Sequence, residues 1–381
     1  MTHKRVYLDN SATTSINKEV LETMKPFLEN LYYNPSAVYQ DTIAVRRIMD
    51  QARASVAVAL NCEPEEIFFT SGGTESDNWA LQGMMKNKEY NRLLTSEIEH
   101  PAIYNTAEAL NRMGHDVYHI KTQPNGMIDI ENFKQKMFYR EPSLISVMLA
   151  NNETGVIQPI NEIVKHSKNC MCCVHTDAVQ AIGHMKVDVQ ELGVDLLSLS
   201  GHKFHAPKGV GVLYVKKGTP LQNLMYGGKQ ENRLRPGTEN VASIVGLAKA
   251  ITIATDNLDT NINKMKQLRN LLQNTLKENI PTMTINGDID NRLPNILNAS
   301  FKGIAGTTMV TLLDLEGISV SSGSACNASD FVMPSRVLKA MGKTDEEAQE
   351  GVRFSLSCET TKEEILYTIE KVMQVVNNTI L

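Results

Sequence analysis

Apolar positions in the first two thirds of the chain fall into short continuous runs separated by longer amphipathic stretches. Ile67-Phe-Phe-Thr70, Leu144-Ile-Ser-Val-Met-Leu149 and Asp195-Leu-Leu-Ser-Leu199 are short and almost uninterrupted, the signature of strands buried on both faces. Between them, Thr42 to Leu60 and Ala102 to Met113 repeat their apolar residues at helical spacing. This alternation predicts an α/β fold with a mostly parallel sheet covered by helices on both faces. Beyond about residue 250 the pattern changes to a long helical stretch (Ile251 to Glu278), a strand candidate (Asn295 to Phe301) and a final helix (Lys362 to Val376). A boundary near 250 therefore separates a larger α/β domain from a smaller α+β domain. No 20–50-residue repeat and no low-complexity segment interrupts this organisation.

A length of 381 residues is more than one small core needs and fits two domains. Hydrophobic residues at 42% and charged residues at 21% are ordinary for a soluble globular chain. A net charge of −5 supplies no basic field for nucleic acid. No window approaches the roughly 20 apolar residues of a membrane helix. Met1-Thr-His-Lys-Arg5 runs straight into a strand-like Val-Tyr-Leu with no apolar signal core. These features lead us to expect a cytoplasmic protein whose six cysteines are reduced.

Three segments carry candidate chemistry. In Ser198-Leu-Ser-Gly-His-Lys-Phe-His-Ala-Pro207 a strand ends at Ser200 and a tight glycine turn presents Lys203. A lysine held and partly desolvated at a strand end suits Schiff-base chemistry, with Ser200 and His202 beside it to hold a phosphate; a solvated loop lysine has the same local sequence. Phe69-Thr-Ser-Gly-Gly-Thr-Glu-Ser-Asp-Asn78 follows a strand and opens a helix. Its glycines and the helix N-terminus form a phosphate cradle, although a Ser/Thr-x-x-Asp run is also a plain helix cap. In His175-Thr-Asp-Ala-Val-Gln180 a carboxylate at a strand end can pair with a pyridine nitrogen, or cap a helix.

Together these segments closely resemble the cysteine desulfurases of the class V aminotransferase family, NifS/IscS type. The resemblance runs from about residue 6 to 375, through Tyr7-Leu-Asp-Asn-Ser-Ala-Thr-Thr14, Asn34-Pro-Ser36, Glu99-His-Pro101, Ala150-Asn-Asn-Glu-Thr-Gly155, Arg235-Pro-Gly-Thr-Glu-Asn240, Ser321-Ser-Gly-Ser-Ala-Cys326 and Arg353-Phe-Ser-Leu356. It implies the fold type I of pyridoxal 5'-phosphate (PLP) transferases. In that fold a large domain (14–250) holds a mostly parallel seven-stranded sheet, and residues 1–13 and 251–381 form the smaller domain with the sulfur-acceptor cysteine. It implies that Lys203 holds PLP, that Asp177 and Gln180 meet its ring nitrogen and phenolic oxygen, and that His100 stacks on the ring and moves protons. Gly73, Thr74, Ser200 and His202 match phosphate ligands, and Thr238 a phosphate contact given by the second subunit of a homodimer. Asn152 lies against the cofactor and, with Arg353, binds the substrate carboxylate. Cys326 becomes the sulfur acceptor, with no resident metal, and is the residue that would touch a transferred iron–sulfur cluster. The implied reaction takes sulfur from L-cysteine, with His100 the candidate for deprotonating the substrate thiol, and passes it to an iron–sulfur scaffold or a tRNA-thiolation enzyme. No direct nucleic-acid or membrane contact is expected.

The residues around Cys326 (Ser321 to Ser329) are small and polar, which suits a thiol that must reach the substrate sulfur and then deliver it. Pro334 and a helix beginning at Ser335 follow about eight residues later, similar to the long-loop group of the family. Cys170-Met-Cys-Cys173 invites a metal reading, but it leads into a strand, where Cys172 and Cys173 would point to opposite faces as small buried hydrophobes. Cys62 and Cys358 have no recognisable partner. Cys358 also follows Arg353-Phe-Ser-Leu-Ser357 where relatives carry different residues. The rival readings are a selenocysteine lyase or another aminotransferase-type enzyme, a non-catalytic scaffold, and a metal-binding protein. Product release from different amino acids, the colour of the purified protein and metal analysis separate them.

Overall fold

The apolar runs become strands because each can be covered on both faces. A computed structural model of the chain describes residues 5–137, 141–168, 170–323 and 333–380. After β1 (Val6–Tyr7), the strands β2 (Ile67–Thr70), β3 (Arg92–Ser96), β4 (Asp116–Ile120), β5 (Ser143–Ser146), β6 (Cys173–Asp177), β7 (Leu196–Ser200) and β8 (Gly211–Val215) follow in order. β2 to β8 form a seven-stranded sheet in the order β2-β8-β7-β6-β5-β3-β4. β8 is antiparallel to both of its neighbours and the other pairings are parallel. Every residue of β2, β3, β5, β6, β7 and β8 is buried, whereas the edge strand β4 alternates exposed and half-buried positions before its last residue.

The helices follow from the amphipathic stretches. α1 (Lys18–Glu29) and α2 (Asp41–Leu60) cover one region of the sheet, α3 (Gly73–Met85) and α4 (Pro101–Arg112) another, and α5 (Ile130–Lys136), α6 (Ile160–Ser167) and α7 (Val189–Leu192) fill the crossovers. α8 (Val241–Asp256) is apolar nearly all round and packs beneath α1 and α2. The expected single helix from Ile251 to Glu278 is instead two, because α9 (Leu258–Asn279) turns away by 72°. The reason is a change of partner. α8 belongs to the core of the large sheet, whereas α9 places Leu268, Leu272 and Leu276 in a second core. Asn257 sits at the break, its side-chain amide donating to the Ile253 carbonyl. No single described helix is long and apolar enough to cross a membrane.

That second core lies under an antiparallel four-stranded sheet. Beyond β9 (Met283–Ile285) and β10 (Ile296–Phe301) come α10 (Gly306–Leu315), β11 (Ile318–Ser319), β12 (Ser321–Ser322), α11 (Arg336–Ala340), α12 (Asp345–Gln349), β13 (Gly351–Ser355) and α13 (Lys362–Ile380). The strand order is β12-β13-β10-β9, and β1 pairs with β11 in a separate two-stranded sheet. Past β1, the Ser355 amide donates to the Leu8 carbonyl and the Asn10 amide to the Ser355 carbonyl, so the N-terminal segment passes alongside β13.

One expectation about the cysteines is overturned. Cys170 and Cys172 form a disulfide with Cα atoms 5.3 Å apart, so the cysteines are not all reduced thiols. β6 starts at Cys173, one residue later than the expected alternation of Cys172 and Cys173 requires. Cys170 and Cys172 lie on the preceding turn, and Met171 projects outward between them, 69% exposed.

Candidate active site

In a parallel sheet, the residues that follow each strand gather at one edge, outside the carboxyl ends. β2 is antiparallel to β8, which is antiparallel to β7, so β2 and β7 run the same way as β3, β5 and β6. Gly72–Thr74 after β2, His100 after β3, Asn152 after β5, Asp177 at the end of β6 and Ser200–Lys203 after β7 therefore share one edge.

The glycine turn is shaped by close contact. Gly72 has φ +153°, a region that favours glycine. A Cβ on Gly73 would stand 2.8 Å from Val179 Cγ2 and 3.4 Å from Ser200 Cβ, and one on Gly211 of β8 would stand 2.7 Å from the Gly72 backbone. The turn is braced from beneath, and the free amides that open α3 lie beside buried Ser200. Arg235 closes the outer side through an ion pair to Glu75 at 2.7 Å, and the Ser71 amide donates to the same carboxylate. This is a cradle for an anionic group the size of a phosphate.

Lys203 extends from the short 3-10 turn after β7 and donates from Nζ to the carbonyls of Ser11 and Ala12 at 2.5 and 2.9 Å. Gln180, fixed after β6, also donates to Ser11 O at 3.0 Å. Asp177 is buried, and the Val179 amide donates to its Oδ1 at 2.8 Å. Burial raises its carboxyl to about 6, against the pull of that amide and of Lys203. His202 lies 3.1 Å from the Thr13 hydroxyl through Nδ1, and burial, Lys203 and Lys208 lower its imidazole to about 4. The ammonium of Lys203 thus acts on Asp177, His100 and His202 together.

His100 caps α4. Its Nδ1 accepts the Ala102 amide at 3.1 Å, and burial, Lys203 and Arg336 lower the ring to about 4, leaving it neutral. The Ala102 amide thus occupies the Nδ1 lone pair. On its outer side His100 joins Thr74, Asn78 and Thr106 in lining a cleft of about 500 Å³ between α3 and α4.

On the substrate side, Arg353 of β13 donates to the Asn152 carbonyl and to Asp9 Oδ1, both at 2.7 Å. Its buried Nε has no hydrogen-bond partner among the described residues. Arg353 and Asn152 are therefore brought together, through the backbone of Asn152. Thr238 is exposed between the Arg235–Glu75 ion pair and α8, and among the described residues no hydrogen bond ties it to the site of its own chain. Cys326 lies outside the described residues.

Several groups escaped the sequence reading. Behind Asp177, the fully buried His175 ring sits between Ser146 Oγ at 2.9 Å and Ser198 Oγ at 3.0 Å. Asp77 of α3 is 3.8 Å from the same ring. Burial and then Asp177 raise Asp77 well above its ordinary value, and burial lowers His175 to about 3, so the ring is neutral and the contact is not an ion pair. Glu99 is also fully buried and raised by burial to about 8; it accepts the Met148 amide at 3.1 Å and the Ser96 hydroxyl. Its place beside His100 was visible in the sequence, but its burial was not. The carbonyls of Ser11 and Ala12 carry no sequence signal, because any residue offers one. Cys358, read as having no partner, lies 3.6 Å from His205 Nε2.

The residues at the edge fit a cofactor with an aldehyde, a basic ring nitrogen and a phosphate. They offer one primary amine, one buried carboxylate, and the cradle that a Cβ on Gly73 would fill. The buried Ser11 hydroxyl, with no partner among the described residues, adds a further donor. Comparisons with known proteins agree with this geometry. The family profile "Aminotransferase class-V" matches residues 6–367. A curated relative, cysteine desulfurase IscS of Clostridium botulinum, is 44% identical over 98% of this chain and 95% of its own. A solved NifS-like protein superposes with a TM-score of 0.92 at 37% identity, covering 98% of this chain and all of that one. Another solved structure, SspA in complex with cysteine, superposes with a TM-score of 0.81 at 33% identity, covering 94% of this chain and all of that one. The strand-end lysine, the buried carboxylate and the glycine cradle thus stand in a chain that belongs to the class V aminotransferase family, in its IscS/NifS cysteine desulfurase branch.

Proposed function

We propose that this PLP-dependent cysteine desulfurase moves the sulfur of L-cysteine onto Cys326 as a persulfide, releases L-alanine, and acts in the cytoplasm as a homodimer. The persulfide sulfur then goes to an acceptor protein of iron–sulfur assembly or tRNA thiolation. The observation that carries the reading is the convergence of Lys203, Asp177 and His100 beside the Gly72–Gly73 cradle.

Lys203 would hold the cofactor's aldehyde carbon through Nζ, and Asp177 would keep the proton on the ring nitrogen. Gln180 would face the phenolic oxygen and Asn152 would lie against the cofactor. Gly73, Thr74, Ser200 and His202 would hold the phosphate, with Thr238 contributed by a second copy of the chain. Bound there, PLP supplies an electron-poor ring that accepts the electron pair released when the substrate Cα–H bond breaks. Arg353, steadied by Asp9 and the Asn152 carbonyl, orients the substrate carboxylate together with Asn152. Once its amine is free, Lys203 carries the Cα proton. The Cys326 thiolate forms the new S–S bond as the substrate Cβ–S bond breaks, and the carbon left behind is protonated to give alanine.

Two variants test this division of labour. Lys203→Ala should lose both the visible absorbance of bound PLP and all turnover. Cys326→Ser should keep bound PLP and its colour yet form no persulfide. Normal turnover of L-cysteine by Cys326→Ser with a thiol-free acceptor would overturn the role given to that residue.

A further inference from the structure

The N-terminus of α4 determines what His100 can do with a proton. His100 is the residue before the helix, with φ −59° and ψ 149°, and its Nδ1 accepts the Ala102 amide at 3.1 Å. A backbone amide only donates, so Nδ1 must present a lone pair. In a neutral imidazole the other nitrogen then carries the hydrogen. Nε2, which makes no hydrogen bond to another described residue, is therefore an N–H and offers no lone pair to a thiol.

The alternative protonation state is opposed from every side. Protonating Nδ1 would break the helix cap and put a positive charge at the positive end of the α4 dipole. Arg336 from α11, whose guanidinium donates to the Glu97 and Glu99 carbonyls and lies 4.0 Å from the Tyr104 ring centroid, acts on the ring as a cation, and so does Lys203 from the turn after β7 while its amine is free. The two buried carboxyls nearby give no compensation. Glu99 is held protonated against Ser96 and Met148, and Asp177 is drawn to Lys203. Burial lowers the ring further.

We propose that His100 works as a fixed, neutral hydrogen-bond donor through Nε2–H, polarising an electron-rich oxygen or sulfur acceptor in the site, and does not take the proton of the substrate thiol. The inference rests on the PLP-enzyme reading and narrows it, since the thiol proton must then leave to a different base. Neutral imidazole in this role needs no change of protonation during the reaction, and its donor is oriented before substrate arrives.

The first test is direct. Protein labelled with 15N-histidine, with the His100 signals identified by their loss in His100→Gln, should show hydrogen on Nε2 and none on Nδ1 from pH 6 to 8.5. Hydrogen on Nδ1, or a doubly protonated ring at pH 7, would overturn the proposal. This readout needs neither turnover nor bound PLP, so it stands apart from any failure of the desulfurase reading. Ala102→Pro removes the capping amide at a first-turn position that tolerates proline and should release the tautomer preference; an unchanged pattern would show that the cap does not set it. In turnover, His100→Gln keeps an N–H donor with no basic nitrogen. It should stay within about tenfold of the parent while His100→Ala falls by about 10²–10³-fold, the range for loss of an oriented donor. Equal losses in the two variants would restore the general-base role.

Discussion

Glu99 gives the buried edge of the sheet a pH signature that can be worked out beforehand. Its carboxyl is fully buried and its folded-state value is raised from 4.5 to about 8, burial outweighing the Ser96 hydroxyl, the Met148 amide and Arg336. Between those two values the folded protein holds a proton that the unfolded chain has released. A raised acid of this kind contributes its full stability below 4.5 and loses it as pH climbs toward 8. The slope is about 1.4 kcal/mol per pH unit, so about 4 kcal/mol disappears between pH 5 and pH 8. Glu99→Gln resembles the protonated acid, retains an acceptor for Met148 and Ser96, and has nothing to titrate. Its unfolding free energy should therefore fall less steeply with pH than the parent's, and the gap between them should open by about 4 kcal/mol over that range. Denaturant melts at several pH values, followed by the fluorescence of buried Trp79 on α3, measure both slopes. Asp77 and Asp177 titrate in both proteins, and because Glu99 acts on Asp77 and Asp177 acts on Glu99, the difference reads Glu99 together with its coupling to these two acids. Parallel stability curves, or a steeper fall in the variant, would refute the claim that Glu99 is held protonated by burial.

Other outcomes follow from single contacts. Glu231 is buried and accepts two hydrogen bonds from Arg53, at 2.6 and 2.8 Å, and one from the Phe69 amide at 2.9 Å. Glu231→Ala strands these donors and should cost about 3–5 kcal/mol in denaturant melts. In Gly73→Ala the new methyl meets Val179 Cγ2 at 2.8 Å. The forced shift of about 1–3 kcal/mol falls on the loop that directly follows Asp177, so PLP titration by absorbance should show affinity weakened by about tenfold or more. With six cysteines in the chain and one disulfide among the described residues, thiol titration in denaturant should count four groups before reduction and six after.

The elements that carry the candidate chemistry were legible because their signals are local. A continuous apolar run followed by Gly-Gly or Gly-His-Lys marks a strand and the turn after it, and in a parallel sheet each such turn reaches the same edge. The resemblance read from the sequence assigned Gly73, Asp177, Ser200 and Lys203 to one site, while the strand directions that bring their turns to one edge came from the structure. It misjudged the break at Asn257, because the helical period continues through that residue while the core it serves changes. It also missed the Cys170–Cys172 pairing, because the start of β6 moved by one residue.

What the chain could not announce is the state of those groups. The proton on Glu99, the neutral His175 ring beside Asp77, the amide that occupies His100 Nδ1 and the Ser11 carbonyl under Lys203 all arise where separate elements are pressed together without water. Protonation and tautomer are set by burial and by neighbours in space. The residue types at the site were therefore a property of the sequence, and their chemical readiness was decided by the tertiary structure.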